Sequence, residues 1–334
     1  MKQNPRNGIM KSAIKYEVKN MKTTKTIDTG GRKRKKFTRE EIQLYSLCVI
    51  PVLLVIIFCY VPMAGIVIAF KDYRFDLGIF GSEWVGLRNF EFFFKSSEFV
   101  RITWNTLSMN FIFIVTGIIA AVLVAVLLFG LKSRTATKIF QTTMITPHFL
   151  SWVVVSYMVY AFLNPKYGLL NSFMATFGVE TSDWYANPDV WPTILTICSL
   201  WKHVGMDSVI YYATLMGIDS GLFEAADIDG ANAFVKFKAI ILPELVPLIT
   251  VLTILKIGNI FRADFGLFYQ VPRDVGLLYS TTDVIDTYVF RAMREIGDMS
   301  MASAVGFLQS LVGFAMVVFT NFIAGKINPD NTLF

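Results

Sequence analysis

The stretch SMNFIFIVTGIIAAVLVAVLLFGL, residues 108–131, carries no charged residue anywhere along its length. A helix crosses the hydrocarbon of a bilayer with about 20 mostly apolar residues. An uncharged apolar run of this length predicts a membrane-spanning helix. Five further windows read the same way: 44–70, 140–163, 190–216, 245–267 and 299–324. The fourth and fifth of the six spans carry charges inside them. The composition agrees, with 54% hydrophobic and 17% charged residues and a mean hydropathy of +0.53. Soluble domains carry about a quarter charged residues. The fold class expected is therefore an all-α membrane protein with six transmembrane helices, embedded in a lipid bilayer.

Charge sets its direction. The net charge is +6, and thirteen of the 31 Lys and Arg lie before residue 40. Residues 1–43 read as a basic, partly disordered cytoplasmic arm ahead of a transmembrane domain at 44–334. With the N-terminus inside, the inner segments hold 19 Lys and Arg and the outer loops 9. The positive-inside rule then gives N-in and C-in. The positive balance is thus a topology signal and points to no nucleic acid. The first long apolar run starts at Leu44, too far in and too long for a cleavable signal. Three cysteines in apolar runs and two histidines leave no disulfide framework and no metal set. The outer loops at 71–101, 164–189 and 269–298 are aromatic and turn-rich; the last two are expected to hold short helices. They read as interfacial packing elements or as docking surfaces for an outside partner. Gly306 and Gly313 are expected to let span six pack closely.

This topology leaves residues 217–243 in the cytoplasm, between spans four and five. They include the acidic stretch EAADIDGANAFVKFKAIILP, 224–243. Asp219 or Ser220 caps a helix start, Glu224 suits the first turns of that helix, and Gly230 ends it. Asn232 caps a second short helix to about Leu242, and Pro243 suits the first turn of span five. The segment reads as two short helices with a glycine elbow. Either it is an ordinary solvated loop, or it is a knob that enters a basic cleft on a partner protein.

The spacing EAA, three residues, G, nine residues, I-x-L-P resembles the signature of the membrane subunits of binding-protein-dependent ATP-binding-cassette importers. Glu224, Ala225, Ala226, Gly230, Ile240, Leu242 and Pro243 fall in register. WVGLRNFEFFF, TPHFLSWVV and WKHVGMDSVIYYATLMGIDSGLFEAADIDGAN resemble its carbohydrate branch, particularly the oligosaccharide permeases. The likeness covers roughly residues 40–334. It implies a type I, MetI-like permease in a bacterial plasma membrane. The implied partners are a second homologous permease, a dimer of ATPase subunits, an extracellular solute-binding lipoprotein and an oligosaccharide cargo. The 217–243 loop would be a coupling helix, with Glu224, Ala225, Ala226, Asp227, Gly230, Leu242 and Pro243 at the ATPase. No G-x-x-x-x-G-K-[ST] occurs in the chain. No cofactor is expected on this chain, which is not expected to be an enzyme; ATP and magnesium belong to the partner.

Ionisable residues inside a span mark pathways. Trp201, Lys202, His203, Asp207 and Tyr211 in span four, with Lys256 and Asn259 in span five, form a candidate cargo path. The competing reading is structural, with the lysines paired to neighbouring helices or reaching the interface. Arg262 and Asp264 fall near the outer end of span five. A stand-alone secondary transporter or channel is the alternative, and would show repeated halves and interrupted helices; no internal repeat is visible. A membrane enzyme is third, with no nucleophile and base in view.

Overall fold

The computed structural model describes residues 39–327, which are mainly helical. Residues 1–38 of the basic arm lie outside the described residues. The chain divides into two units, one ending at Val61 and the other beginning at Pro62. In the first, helix α1 (Arg39–Val55) leads into a π turn at Ile56–Tyr60. Leu47, Ile50 and Phe58 are exposed along it, a surface suited to hydrocarbon.

The second unit opens with a 3-10 segment, Ala64–Phe70, and a minimal antiparallel pair, Lys71–Asp72 with Glu83–Trp84. Helices α2 (Arg88–Lys95), α3 (Phe99–Phe129), α4 (Arg134–Ile145) and α5 (Trp152–Leu163) follow. Next come α6 (Leu169–Thr176), α7 (Trp191–Leu215) and α8 (Ser220–Ile228). The chain continues through α9 (Ala233–Gly258), α10 (Ile285–Arg291) and α11 (Met299–Ile327).

Among the described residues, four continuous helices are long and apolar enough to cross a bilayer: Tyr45–Phe70, Phe99–Phe129, Ala233–Gly258 and Met299–Lys326. The expected third span is no single rod. It is α4 with a 3-10 turn, Thr146–Phe149, and then α5, bent by 99° between them. The helix breaks because Leu150 and Ser151 leave the helical region, and the Ser151 hydroxyl caps the new start at Val154 N–H. The expected fourth span is α7, 25 residues long; Lys202, His203 and Asp207 lower its hydropathy below that of the other four. The expected fifth span, 245–267, stops early. Its helix begins at Ala233 and ends at Gly258, and residues 259–265 are a break before a π turn at Gly266–Gln270.

Packing follows side-chain size. α7 lies along α3, where Ala121 and Ala125 admit Tyr211 and Leu215. Lipid tails are as apolar as these side chains, so close fit holds the helices together more than removal of water does. Small residues make two contacts closer still. A Cβ on Gly205 would run into the main chain of Met144, so α7 crosses α4 there only as glycine. Gly313 of α11 lies against the carbonyl of Gly258 at the end of α9. The surroundings of Gly306 are open, so it admits no such approach.

The outer loop after the π turn is fixed by a buried charge cluster. Arg291 Nη2 meets Asp283 Oδ2 at 2.6 Å, Arg291 Nη1 meets Asp274 Oδ1 at 3.3 Å, and the guanidinium lies 4.0 Å from the Tyr279 ring centre. Burial works against the Arg291 charge, but the Asp283 bond and charge outweigh it and raise its pKa. Paired and hydrogen-bonded charges of this kind are the sort that burial tolerates.

Candidate functional site

A cleft of about 520 Å³, with charged and amide groups set among apolar side chains, opens between α3, α7 and α9. Asn110, Phe113 and Gly117 line it from α3, and Ser199, His203 and Asp207 from α7. Lys256 joins from α9, with Asn259, Arg262 and Asp264 from the break that follows. His203 and Asp207 reach the same cleft because they are four apart on one helix face. Asp207 Oδ2 accepts from Lys256 Nζ at 2.8 Å, tying α7 to α9. The His203 ring lies 6.0 Å from the Trp152 ring, and its Nδ1 faces the Ser199 carbonyl at 3.0 Å. Asn259 Nδ2 donates to the Leu255 carbonyl at 3.2 Å.

The other candidates of span four lie elsewhere. Lys202 is buried, and its ammonium donates to the carbonyls of His148, at 2.9 Å, and Leu150. It also lies over the Trp152 ring at 5.1 Å. Those carbonyls are the ones the 99° bend leaves without helical partners, so Lys202 closes the end of a broken helix. Tyr211 is buried in the core against α3. Trp201 lines an apolar groove with Met144 and Pro147 on another face of α7.

The break at 259–265 builds much of the cleft wall. Non-helical backbone at membrane depth is tolerated where protein or a water-filled cavity receives its polar groups. Here three other elements do so. Asn110 Nδ2 donates to the carbonyls of Ile260, at 2.9 Å, and Arg262, at 3.0 Å. Gln309 Nε2 donates to the Phe261 carbonyl at 2.7 Å, and Asp286 Oδ2 accepts from Ala263 N–H at 2.7 Å. Asp264 Oδ2 accepts from Trp152 Nε1 at 2.8 Å, joining the break to the start of α5. Asn110, Trp152, Asp286 and Gln309 were not singled out from sequence. The signal for Asn110 was available: it is the one carboxamide inside the charge-free run at 108–131.

A second candidate surface lies at 217–243. Asp219 caps α8, its Oδ1 accepting from Gly221 N–H at 3.0 Å. The helix ends in a Schellman motif, with Ala231 N–H on the Ala226 carbonyl at 2.9 Å and Gly230 N–H on that of Asp227 at 3.1 Å. Gly230 has φ +73°, a left-handed conformation that side chains resist. Asn232 Oδ1 then accepts from Val235 N–H at 3.0 Å. The second helix is not a separate short piece. It runs through a π turn at Phe237–Ile241 into the long part of α9. Pro243 accounts for the turn: its ring crowds the carbonyl four residues back and it has no N–H to return. Phe223 packs on Phe129 at 5.5 Å between ring centres, which seats α8 against the end of α3. Asp227 pairs with Lys236 across the elbow. Glu224 is exposed and has no hydrogen bond or ion pair among the described residues. Ala225 is exposed, Ala226 and Leu242 half-buried, and Pro243 exposed. Ile228 and Phe234 are 87% and 71% exposed beside them, unusual for side chains of that size facing water.

Residues 113–329 match the model of the binding-protein-dependent transport system inner membrane component. The chain belongs to that family. The match takes in the bend, the break, the 217–243 segment and the cleft apart from Asn110. The permease is 34% identical over 301 residues to the polygalacturonan/rhamnogalacturonan transport system permease protein YteP of Bacillus subtilis, covering 89% of this chain and 93% of that one. It is 32% identical to protein LplB of the same organism, covering 86% and 90%. Among solved structures, it matches a bacterial ABC transporter involved in the import of the acidic polysaccharide alginate. That match has a TM-score of 0.78 and 29% identity, over 86% of this chain and 97% of that one. The chain also matches a bacterial alginate ABC transporter solved in complex with an alginate pentasaccharide-bound periplasmic protein, with a TM-score of 0.77 and 30% identity over 86% of this chain and 96% of that one. The chain is thus an inner-membrane permease subunit of an ABC importer, and ATP hydrolysis belongs to a partner subunit.

Proposed function

We propose that this permease forms half of a translocation path for oligosaccharides and is driven through its 217–243 segment. The observation that carries the reading is the cleft, in which an unwound, braced piece of backbone presents Asn259, Arg262 and Asp264 beside His203, Asp207 and Lys256. Its amides and charges suit the hydroxyls of sugars, and Phe113 offers a ring face. Relatives named for polygalacturonan, rhamnogalacturonan and alginate transport favour saccharide cargo over other solutes. The remaining parts of the proposed importer are a second homologous permease, an ATPase dimer holding ATP and magnesium, and an extracellular solute-binding lipoprotein.

In the coupling step, Glu224 offers an unpartnered carboxylate to a basic group of the ATPase. Ala225 and Ala226 allow close approach, and Ile228 and Phe234 add apolar contact. Asp227 holds Lys236, and Gly230 fixes the angle of the elbow. Leu242 and Pro243 carry displacement of α8 into α9 and so into the cleft. A partner drives such a change only by binding one state more tightly than the other.

The test is to purify the assembled importer on a tag carried by this chain, as wild type, Glu224→Lys and Gly230→Pro. Both variants are expected to lose ATPase subunits from the complex, or to hydrolyse ATP without response to the loaded binding protein. Wild-type association and stimulation in both would overturn the coupling assignment.

A further inference from the structure

The charged groups lining the cleft are not equally engaged. Lys256 is held by Asp207 at 2.8 Å. Asp264 accepts from the Trp152 indole at 2.8 Å and from Leu267 N–H at 3.3 Å. Arg262 is different. Its Nη2 donates to the Ser310 hydroxyl at 2.6 Å, and among the described residues it has no ion-pair partner. Its charge reaches Asp286, but Asp286 Oδ2 already takes the Ala263 and Gln309 N–H groups. A guanidinium carries five N–H donors in a planar fork, and that fork matches the paired oxygens of a carboxylate or phosphate.

The position of Arg262 is also fixed with unusual care. Its own carbonyl is held by Asn110, the carbonyls of Ile260 and Phe261 by Asn110 and Gln309, and the next N–H by Asp286. Those bonds satisfy an unwound backbone, and in doing so they hold Arg262 at one place on the cleft wall, from which its exposed guanidinium can meet a passing group. From this arrangement we infer that Arg262 reads an oxyanion on the cargo, and that the cargo is an anionic saccharide. The inference rests on the cleft being the saccharide path. The same fork would serve a sugar carboxylate or a sugar phosphate.

The test uses the assembled importer in proteoliposomes with its own binding protein, as wild type, Arg262→Gln and Arg262→Lys. Uptake is measured with a uronate trisaccharide, a sugar phosphate and a neutral trisaccharide. Wild type is expected to take up one of the anionic sugars, and which one it takes separates the carboxylate from the phosphate. Arg262→Gln is expected to raise KM for that sugar about tenfold or more, the size of losing a charged hydrogen bond. Arg262→Lys restores part of the loss, because the charge returns without the fork. A variant that merely folds badly would lower the maximal rate and reduce assembly yield together, and Arg262→Lys would not recover KM. Uptake of the neutral sugar alone, or an unchanged KM in Arg262→Gln, overturns the role of Arg262 and leaves saccharide import standing. Uptake of no saccharide by wild type overturns both.

Discussion

Four asparagines use one nitrogen in the same way. Nδ2 of Asn89 donates to the carbonyls of Ala69 and Lys71, and that of Asn105 to Ser280 and Asp283. Asn110 serves Ile260 and Arg262, and Asn171 serves Pro165 and Ser182. One carboxamide nitrogen has two N–H groups, enough to hold two carbonyls that a turn has left without helical partners. Leucine keeps the size and loses both bonds; aspartate offers oxygen where donors are needed. Asn110→Leu is therefore expected to destabilise the protein by about 1–3 kcal/mol. The loss appears as a lower melting temperature in detergent, with cargo uptake reduced as the break loosens. The equivalent change at exposed Asn259, whose amide bonds only one turn back to Leu255, should leave the melting temperature within error. Asn110 shows why such a residue is hard to read in advance. The sequence places it in an apolar run, but its carbonyl partners are 150 and 152 residues away. The caps at Asp219, Gly230 and Asn232 act within a few residues, and they were legible for that reason.

At the scale of elements, hydropathy reports how much hydrocarbon a window holds and not whether its backbone is continuous. The windows at 140–163 and 245–267 were therefore found, while the 99° bend and the break at 259–265 inside them were not. The acidic segment was read correctly up to its elbow. The π turn beyond it was missed, since Pro243 was taken as a helix start and not as the cause of a wide turn in a helix already under way. That turn sets how α8 is rotated relative to the cleft. A π turn inserts one residue, and one residue in an α-helix is about 100° of rotation. Pro243→Ala lets the turn relax to α and swings α8 around the axis of α9. The expected outcome is ATP hydrolysis that continues while cargo uptake falls, measured on the same proteoliposomes. Equal loss of both, with the complex intact, would mean that the turn does not set the coupling angle.

For the molecule as a whole, the outer loops serve as the frame on which the break rests. Asp286 belongs to α10, outside the apolar spans, and its carboxylate supports both Ala263 and Gln309. Burial raises its pKa, and the Ala263 and Gln309 bonds only partly offset this. The sign follows from linkage. A carboxyl that holds its proton more tightly in the folded state contributes stability below its ordinary value, and that stability is lost as pH rises through the raised one. Asp286→Asn keeps an oxygen acceptor and cannot ionise. Its melting temperature is expected to fall less than that of wild type as the pH goes from acid to neutral. A parallel fall in both would show that Asp286 carries none of the pH dependence.

Where α9 gives way to the break, the Gly313 main chain meets the Gly258 carbonyl, and the Val317 side chain fills the place that a Cβ on Gly258 would take. Side chains meshed across a helix pair hold it near a preferred crossing angle. Val317 is such a tooth, and on the same helix Gln309 ties down the Phe261 carbonyl. The end of α9 and the break are thus pinned to α11 at successive points, and the three swing together as one lever.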